Sequence, residues 1–198
     1  MRKDAVFNCI TRCVSAFVLM VTSVGSLAAD PKPGPYQILF AGQMTDNHWE
    51  EVFVPGKVEF LESWFIGLGR GYEWSTRLPR TTLGIEGQLV GHFRIQDHLE
   101  FNVPVVIRYY PAKPIVPPLD SIAFGLGLST TTKKPQTEIN RDGETSRTLI
   151  YWMGELDFDL PQDGISFAVR LHHRSDAYGL FATDSGANAI AFGIKHRF

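Results

Sequence analysis

Thiols are nearly absent from this 198-residue chain: its two cysteines, Cys9 and Cys13, both lie in the first 28 residues. Nothing after them can form a disulfide or a thiolate metal site. An excess of charge of one sign is missing too. With 19 basic and 21 acidic residues the formal net charge is -2, which gives no field to draw in a polyanion, so nucleic-acid binding is excluded as a function class. Helical recurrence of apolar residues at i, i+3 and i+4 is hard to find, and 44% hydrophobic content argues against disorder. Beyond residue 28 no apolar run reaches about 18 residues, so no helix of that stretch can cross a membrane. The length suits one domain.

The first 28 residues are a class of their own. Arg2, Lys3 and Arg12 supply a basic start, Cys13 to Leu27 is apolar or small, and Ser26-Leu27-Ala28 reads as a small-x-small cleavage site. The pattern predicts an export signal over 1–28, cut after Ala28; an uncleaved membrane anchor is the competing reading, and the shortness of the apolar run weighs against it. Residues 29–198 then form a single domain with 16 basic and 20 acidic residues, a charge of -4.

That domain alternates with period two almost throughout. Ile122, Phe124, Leu126 and Leu128 interleave with Ser121, Ala123, Gly125, Gly127 and Ser129. Ile150, Trp152, Leu156 and Phe158 oppose Tyr151, Glu155, Asp157 and Asp159; Ile165, Phe167, Val169 and Leu171 oppose Ser166, Ala168, Arg170, His172 and Arg174. Ile190, Phe192, Ile194 and Phe198 oppose Ala189, Ala191, Gly193, Lys195 and Arg197. Earlier, Tyr36, Ile38, Phe40 and Met44 alternate with Gln37, Ala41 and Gln43, the apolar set being placed on the same outward row. The pattern predicts eight strands, at about 36–44, 60–76, 82–95, 99–110, 121–131, 148–160, 165–175 and 188–198.

A soluble sandwich or lipocalin-like barrel would also alternate. The polar face decides between them: it carries both signs of charge among Gly, Ala and Ser, as a narrow lumen filled with ion pairs would, while the apolar face has Trp, Tyr and Phe near its ends. Glu86, Glu100, Glu155 and Asp157 are expected to meet Arg94, Arg108, Arg170, Arg174, Lys195 and Arg197 in that lumen. The expected fold is all-β, an eight-stranded antiparallel outer-membrane β-barrel. Phe198 resembles the terminal aromatic that such barrels present to the barrel-assembly machinery. Expected localisation is the outer membrane of a Gram-negative bacterium. Gly67-Leu68-Gly69-Arg70-Gly71 opens no helix and reads as small residues in a twisted strand rather than a dinucleotide fingerprint.

Reactive side chains concentrate in His172-His173-Arg174-Ser175-Asp176 and in Asp184-Ser185-Gly186-Ala187-Asn188. Successive strand residues point to opposite faces, so His172 and His173 cannot share one ion, and no metal or cofactor is expected there. His173 and Ser175 do share a face, the apolar one, close enough for an imidazole nitrogen to reach a hydroxyl. A tilted strand climbs roughly 2.5 Å per residue along the barrel axis. On that scale His173 and Ser175 sit about 20–28 Å above the turn at Gly164, and Asn188 about 25 Å above Phe198. A serine activated by a histidine that a third group orients is the general acyl-transfer arrangement. The plainer reading makes all three the polar start of a loop.

At these residues the chain resembles the outer-membrane lipid A 3-O-deacylase family and its acyloxyacyl hydrolase-like relatives. The resemblance rests on RLHHRSDAYGL (170–180) and DSGANAIAFGIKHRF (184–198), with weaker similarity at 84–111 and 121–129. It implies a serine esterase that hydrolyses an acyl ester of lipid A, with lipopolysaccharide as partner and no cofactor. The family's His-x-Ser-Asn motif falls on His173, Arg174, Ser175 and Asp176, making Ser175 the nucleophile and His173 the base. Two positions depart from it. The Asn after the serine is Asp176, a poor oxyanion donor through its side chain, and the acidic triad member falls on Asn188. An amide can orient a histidine but cannot stabilise an imidazolium as a carboxylate does, so Asp184 and Asp176 are alternative partners. The rival from another class is a non-enzymatic structural or partner-binding barrel, with loop 132–147 as its contact surface.

Overall fold

Alternation sustained over eight segments closes on itself. The computed structural model describes residues 30–47, 51–54, 56–113, 115–177, 180–181 and 184–198; the export signal expected over 1–28 lies outside them. The strands are β1 (Gly34–Thr45), β2 (Phe60–Ser75), β3 (Thr81–Arg94), β4 (Leu99–Tyr109), β5 (Leu119–Thr131), β6 (Thr148–Asp159), β7 (Ile165–Ser175) and β8 (Gly186–Arg197). Each pairs antiparallel with the next, and β8 pairs with β1, which leaves no open edge. This is the expected eight-stranded antiparallel barrel, with every strand end within two residues of its predicted place.

Connections at 46–59, 95–98, 132–147 and 176–185 gather at one end, the mouth; 76–80, 110–118 and 160–164 lie at the other with both described termini. Inside the 132–147 connection the chain forms a short helix, α1 (Gln136–Asp142), which strand periodicity does not reveal. It stops where Gly143 turns left-handed at φ 83° and returns its N–H to Ile139 O.

The outer wall is apolar, with Trp64, Phe93 and Phe101 toward the mouth and Tyr72, Trp74 and Tyr109 toward the closed end, all exposed. The inside is largely polar, beside an apolar cluster of Ile38, Phe40, Met44, Phe65 and Val90. Arg108 bonds Glu73 at 2.8 Å, Glu155 at 2.7 Å and Asp157 at 2.5 Å; Arg170 bonds Glu86 at 2.8 Å and Glu155 at 2.5 Å. Lys195 reaches Asp157 at 2.7 Å as well as Glu155. Buried charges survive only when paired and hydrogen-bonded in this way. Nearer the mouth Glu100 holds His92 and His172, and Arg174 meets Glu138 of α1 at 2.9 Å and Ser129 at 2.5 Å.

Two sequence expectations are corrected. In β1 the apolar row points inward, not to lipid: Tyr36, Ile38, Phe40 and Met44 are buried, while Gln37, Leu39 and Ala41 face out. The reason lies on the neighbouring strand. Phe40, Ile38 and Tyr36 stand opposite Gly67, Gly69 and Gly71, where a Cβ would come within 2.3 Å of Phe40, 2.8 Å of Ile38 and 2.5 Å of Tyr36. The glycines are a trough for the rings, and Tyr36 still donates to Glu86 at 2.8 Å. Arg94 does not join the lumen either, because its backbone takes φ 87° and ends β3 with the side chain exposed.

Candidate functional site

The barrel register sets Trp152, His173 and Asn188 side by side across β6, β7 and β8, with Ile150, Ser175 and Gly186 on the next level toward the mouth. All of these have outward parity. His172, one residue off, points into the lumen, where Nε2 meets Glu100 at 2.9 Å and the Tyr151 hydroxyl lies 3.3 Å from Nδ1. The two histidines therefore serve opposite faces of the wall.

His173 is held by neighbours on both adjacent strands although it stands on the outer wall. Asn188 Oδ1 lies 2.6 Å from its Nδ1, the Trp152 ring lies against it at 4.6 Å between centroids, and it is only 7% exposed. The amide of Asn188 is itself oriented, because Nδ2 donates to the backbone oxygen of Asn47 at 2.7 Å. With the donor end so used, Oδ1 must accept, so His173 carries a proton on Nδ1, and in the neutral ring the lone pair is then on Nε2. That is the tautomer a general base requires.

Ser175 ends β7. Its hydroxyl oxygen accepts the Ala177 N–H at 2.9 Å, in a turn where Ala177 adopts φ 54°. Among the described residues no hydrogen bond joins it to His173; the two are brought to one face, two residues apart. The Asp176 N–H donates to Ser185 O at 3.0 Å and closes the neck of the loop. Asp184 is exposed, and it is Asn188 that holds His173 Nδ1.

Below the histidine an apolar groove of about 420 Å³ runs along the outer wall between Val169, Leu171, Ile190, Leu156, Gly154 and Val52. Gly154 stands opposite Leu171, and a Cβ there would touch nothing within 4 Å, so its bare backbone widens the floor. Val52 belongs to the 3₁₀ turn Glu51–Phe53 of the first long loop. Asn47 opens the same loop and donates to Lys57 O at 2.8 Å while accepting the Glu59 N–H at 2.7 Å. The loop is thus folded onto the wall, supplying a carbonyl to Asn188 and a side chain to the groove.

At the inner mouth, His92, His98 and Glu100 form a second cluster. The His92 and His98 rings stack at 4.3 Å, and burial beside His92 pushes the His98 imidazole down to about 4.

No protein-family model and no curated protein sequence matches the chain. Among solved structures it is similar to the outer membrane enzyme PagL, at 13% identity over 82% of this chain and 99% of that one, with a TM-score of 0.56. Looser similarities are to Neisserial surface protein A (NspA), at 9% identity over 83% of this chain and 96% of that one, TM-score 0.47, and to the Yersinia pestis outer membrane protein Ail, at 15% identity over 83% and 99%, TM-score 0.43. At these identities the likeness is one of fold: an eight-stranded barrel of the outer-membrane kind.

Proposed function

We propose that the protein is an outer-membrane serine esterase that removes an acyl chain from lipid A in the outer leaflet, with Ser175 as nucleophile, His173 as general base and Asn188 as its orienting partner. The observation that carries this reading is the relay Asn47 O, Asn188 amide, His173 imidazole, built on the lipid-facing side of the wall. A loop start has no need to fix an imidazole's tautomer through an anchored amide. The mouth with its long loops would face the exterior and the termini the periplasm, as expected of a chain exported by a cleaved signal and assembled through Phe198.

In this mechanism His173 Nε2 takes the Ser175 proton as Oγ attacks the ester carbonyl. The imidazolium then returns that proton to the departing sugar oxygen, leaving an acyl-serine that water hydrolyses by the same proton route. The Ala177 N–H, already beside Oγ, is a donor for the developing oxyanion. Turning the Ser175 hydroxyl toward Nε2 is a small rearrangement of a kind common between free and substrate-bound active sites. The acyl chain would lie in the groove over Gly154 and Leu171, never leaving the membrane.

That the partner of His173 Nδ1 is the amide of Asn188 favours one rival, a barrel that binds without catalysis. Mass spectrometry of lipid A from cells making the wild type or Ser175→Ala separates them. One acyl chain should be missing in the wild type alone; identical lipid A in both strains overturns the esterase.

A further inference from the structure

The histidines at the inner mouth take no part in ester chemistry, since they face the other side of the wall from Ser175. His92 projects inward from β3 and Glu100 from β4, and His98 lies on the connection between those strands. We propose that His92, His98 and Glu100 form a binding site for a divalent transition-metal ion, with Zn²⁺ as the ion this donor set fits best.

The geometry gathers one ligand atom from each residue within 4.8 Å of the others, and all three residues are buried. Ligand atoms around a tetrahedral zinc lie roughly 3.3 Å apart, so side-chain movements of about 1.5 Å close the set. His92 and Glu100 are already in contact at 2.8 Å. His98 is the independent sign. It is 93% buried by its 7% exposure, yet its Nε2 has no hydrogen-bond partner among the described residues. A buried nitrogen of this kind calls for a ligand. A water would satisfy it, but would not account for a second imidazole and a carboxylate gathered on the same point.

Chemistry selects the ion. Two imidazoles and one carboxylate suit zinc and its neighbours in the first transition row, whereas calcium and magnesium take oxygen ligands. The supporting shell is present as well. His172 Nε2 and Ser129 Oγ hold the far oxygen of Glu100 at 2.9 Å and 3.1 Å, and Gln96 holds His92 Nδ1 at 3.0 Å. Gln96 in turn accepts from the Thr137 hydroxyl of α1 at 2.9 Å. Such outer partners fix the rings and carboxylates of metal sites. When Nε2 of His92 binds the ion, its proton moves to Nδ1 and the Gln96 amide turns to accept it, giving up the Thr137 N–H at 3.3 Å while the Thr137 hydroxyl turns to accept from the amide. The bound ion would pin the 95–98 connection to β3 and β4 across the mouth.

The test uses the full-length folded barrel in detergent, stripped with chelator and titrated with ZnCl₂ by calorimetry. Co²⁺ as a second probe reports tetrahedral coordination by intense visible absorption. Wild type should take up one ion per chain. His98→Phe, which keeps the stacked ring and removes no side-chain hydrogen bond of the cluster among the described residues, should bind at least tenfold more weakly. His196→Phe, at the other end on the outer wall, should bind as wild type. Folding of each variant is read from heat-modifiable gel mobility, and His98→Phe decides even where His92→Phe or Glu100→Gln fails to fold. No saturable binding by the wild type, or equal binding by His98→Phe, overturns the site.

Discussion

Asparagine at position 188 is explained by what lies on each side of it. It accepts from His173 at 2.6 Å and donates to the Asn47 carbonyl at 2.7 Å, using a separate atom of the amide for each. A carboxylate would stabilise the imidazolium better but would face a carbonyl oxygen at hydrogen-bond distance, leaving that oxygen unpaired. The departure from an acidic triad member is therefore tied to the way the first long loop is seated. Two outcomes follow at this position. Asn188→Asp should loosen the 46–59 loop, seen as faster limited proteolysis there while the barrel stays folded; unchanged resistance would refute the coupling. Asn188→Leu should loosen the loop equally and lower ester hydrolysis about 10- to 100-fold, since the tautomer is no longer fixed.

At the level of elements, β1 and β2 act as a complementary pair. An inward row of rings needs inward glycines opposite, and a Cβ at Gly67 would come within 2.3 Å of the Phe40 ring. Gly67→Ala should destabilise the barrel by about 1–3 kcal/mol through overpacking, and Phe40→Leu added to it should recover part of the loss in urea titrations. Gly87→Ala, where nothing lies within 4 Å, is the control. On β6, Gly154→Trp should fill the groove and slow cleavage of long acyl chains more than short ones, without altering heat-modifiable mobility; equal slowing for both lengths would argue against the groove as the acyl seat. The strands, and the outward placement of His173, Ser175 and Asn188, were legible because period two carries both strand and face. The orientation of β1 was not, because packing of Phe40, Ile38 and Tyr36 against Gly67, Gly69 and Gly71 outweighs the usual placing of apolar residues toward lipid, and only the register shows which strand lies opposite. The parts of the site that sequence missed are those without a chemical signature of their own: the Asn47 backbone carbonyl, the Trp152 ring one strand away, and the Val52 side chain. Helix α1 was hidden in a connection that reads only as polar.

The whole molecule largely inverts the usual arrangement, with its network of paired charges inside and most of its large apolar side chains outside. Within, Arg170 pairs with Glu86 and Glu155 together, so Arg170→Met should cost about 3–5 kcal/mol by leaving the buried Glu86 carboxylate without its cation, while Glu155 keeps Arg108 and Lys195, measured as a lower urea midpoint. Outside, the test is whether the apolar wall is met by lipid or by water. Leu126 is 51% exposed midway along β5, between Phe124 and Leu128 on the same face. Placed at a bilayer midplane, an arginine there costs about 2–4 kcal/mol, and near an interface about 0–1 kcal/mol. A wall that faces water would accept either with little change, since exposed substitutions away from special features stay within about 0.5 kcal/mol. Leu126→Arg and Leu99→Arg, the second at the mouth end of β4, therefore form a depth series. Refolded into lipid vesicles and unfolded with urea, the midplane variant should lose several times more stability than the rim variant. Equal and small losses would mean that the belt does not sit in a membrane, and with it would go the outer-wall route by which an acyl chain reaches Ser175.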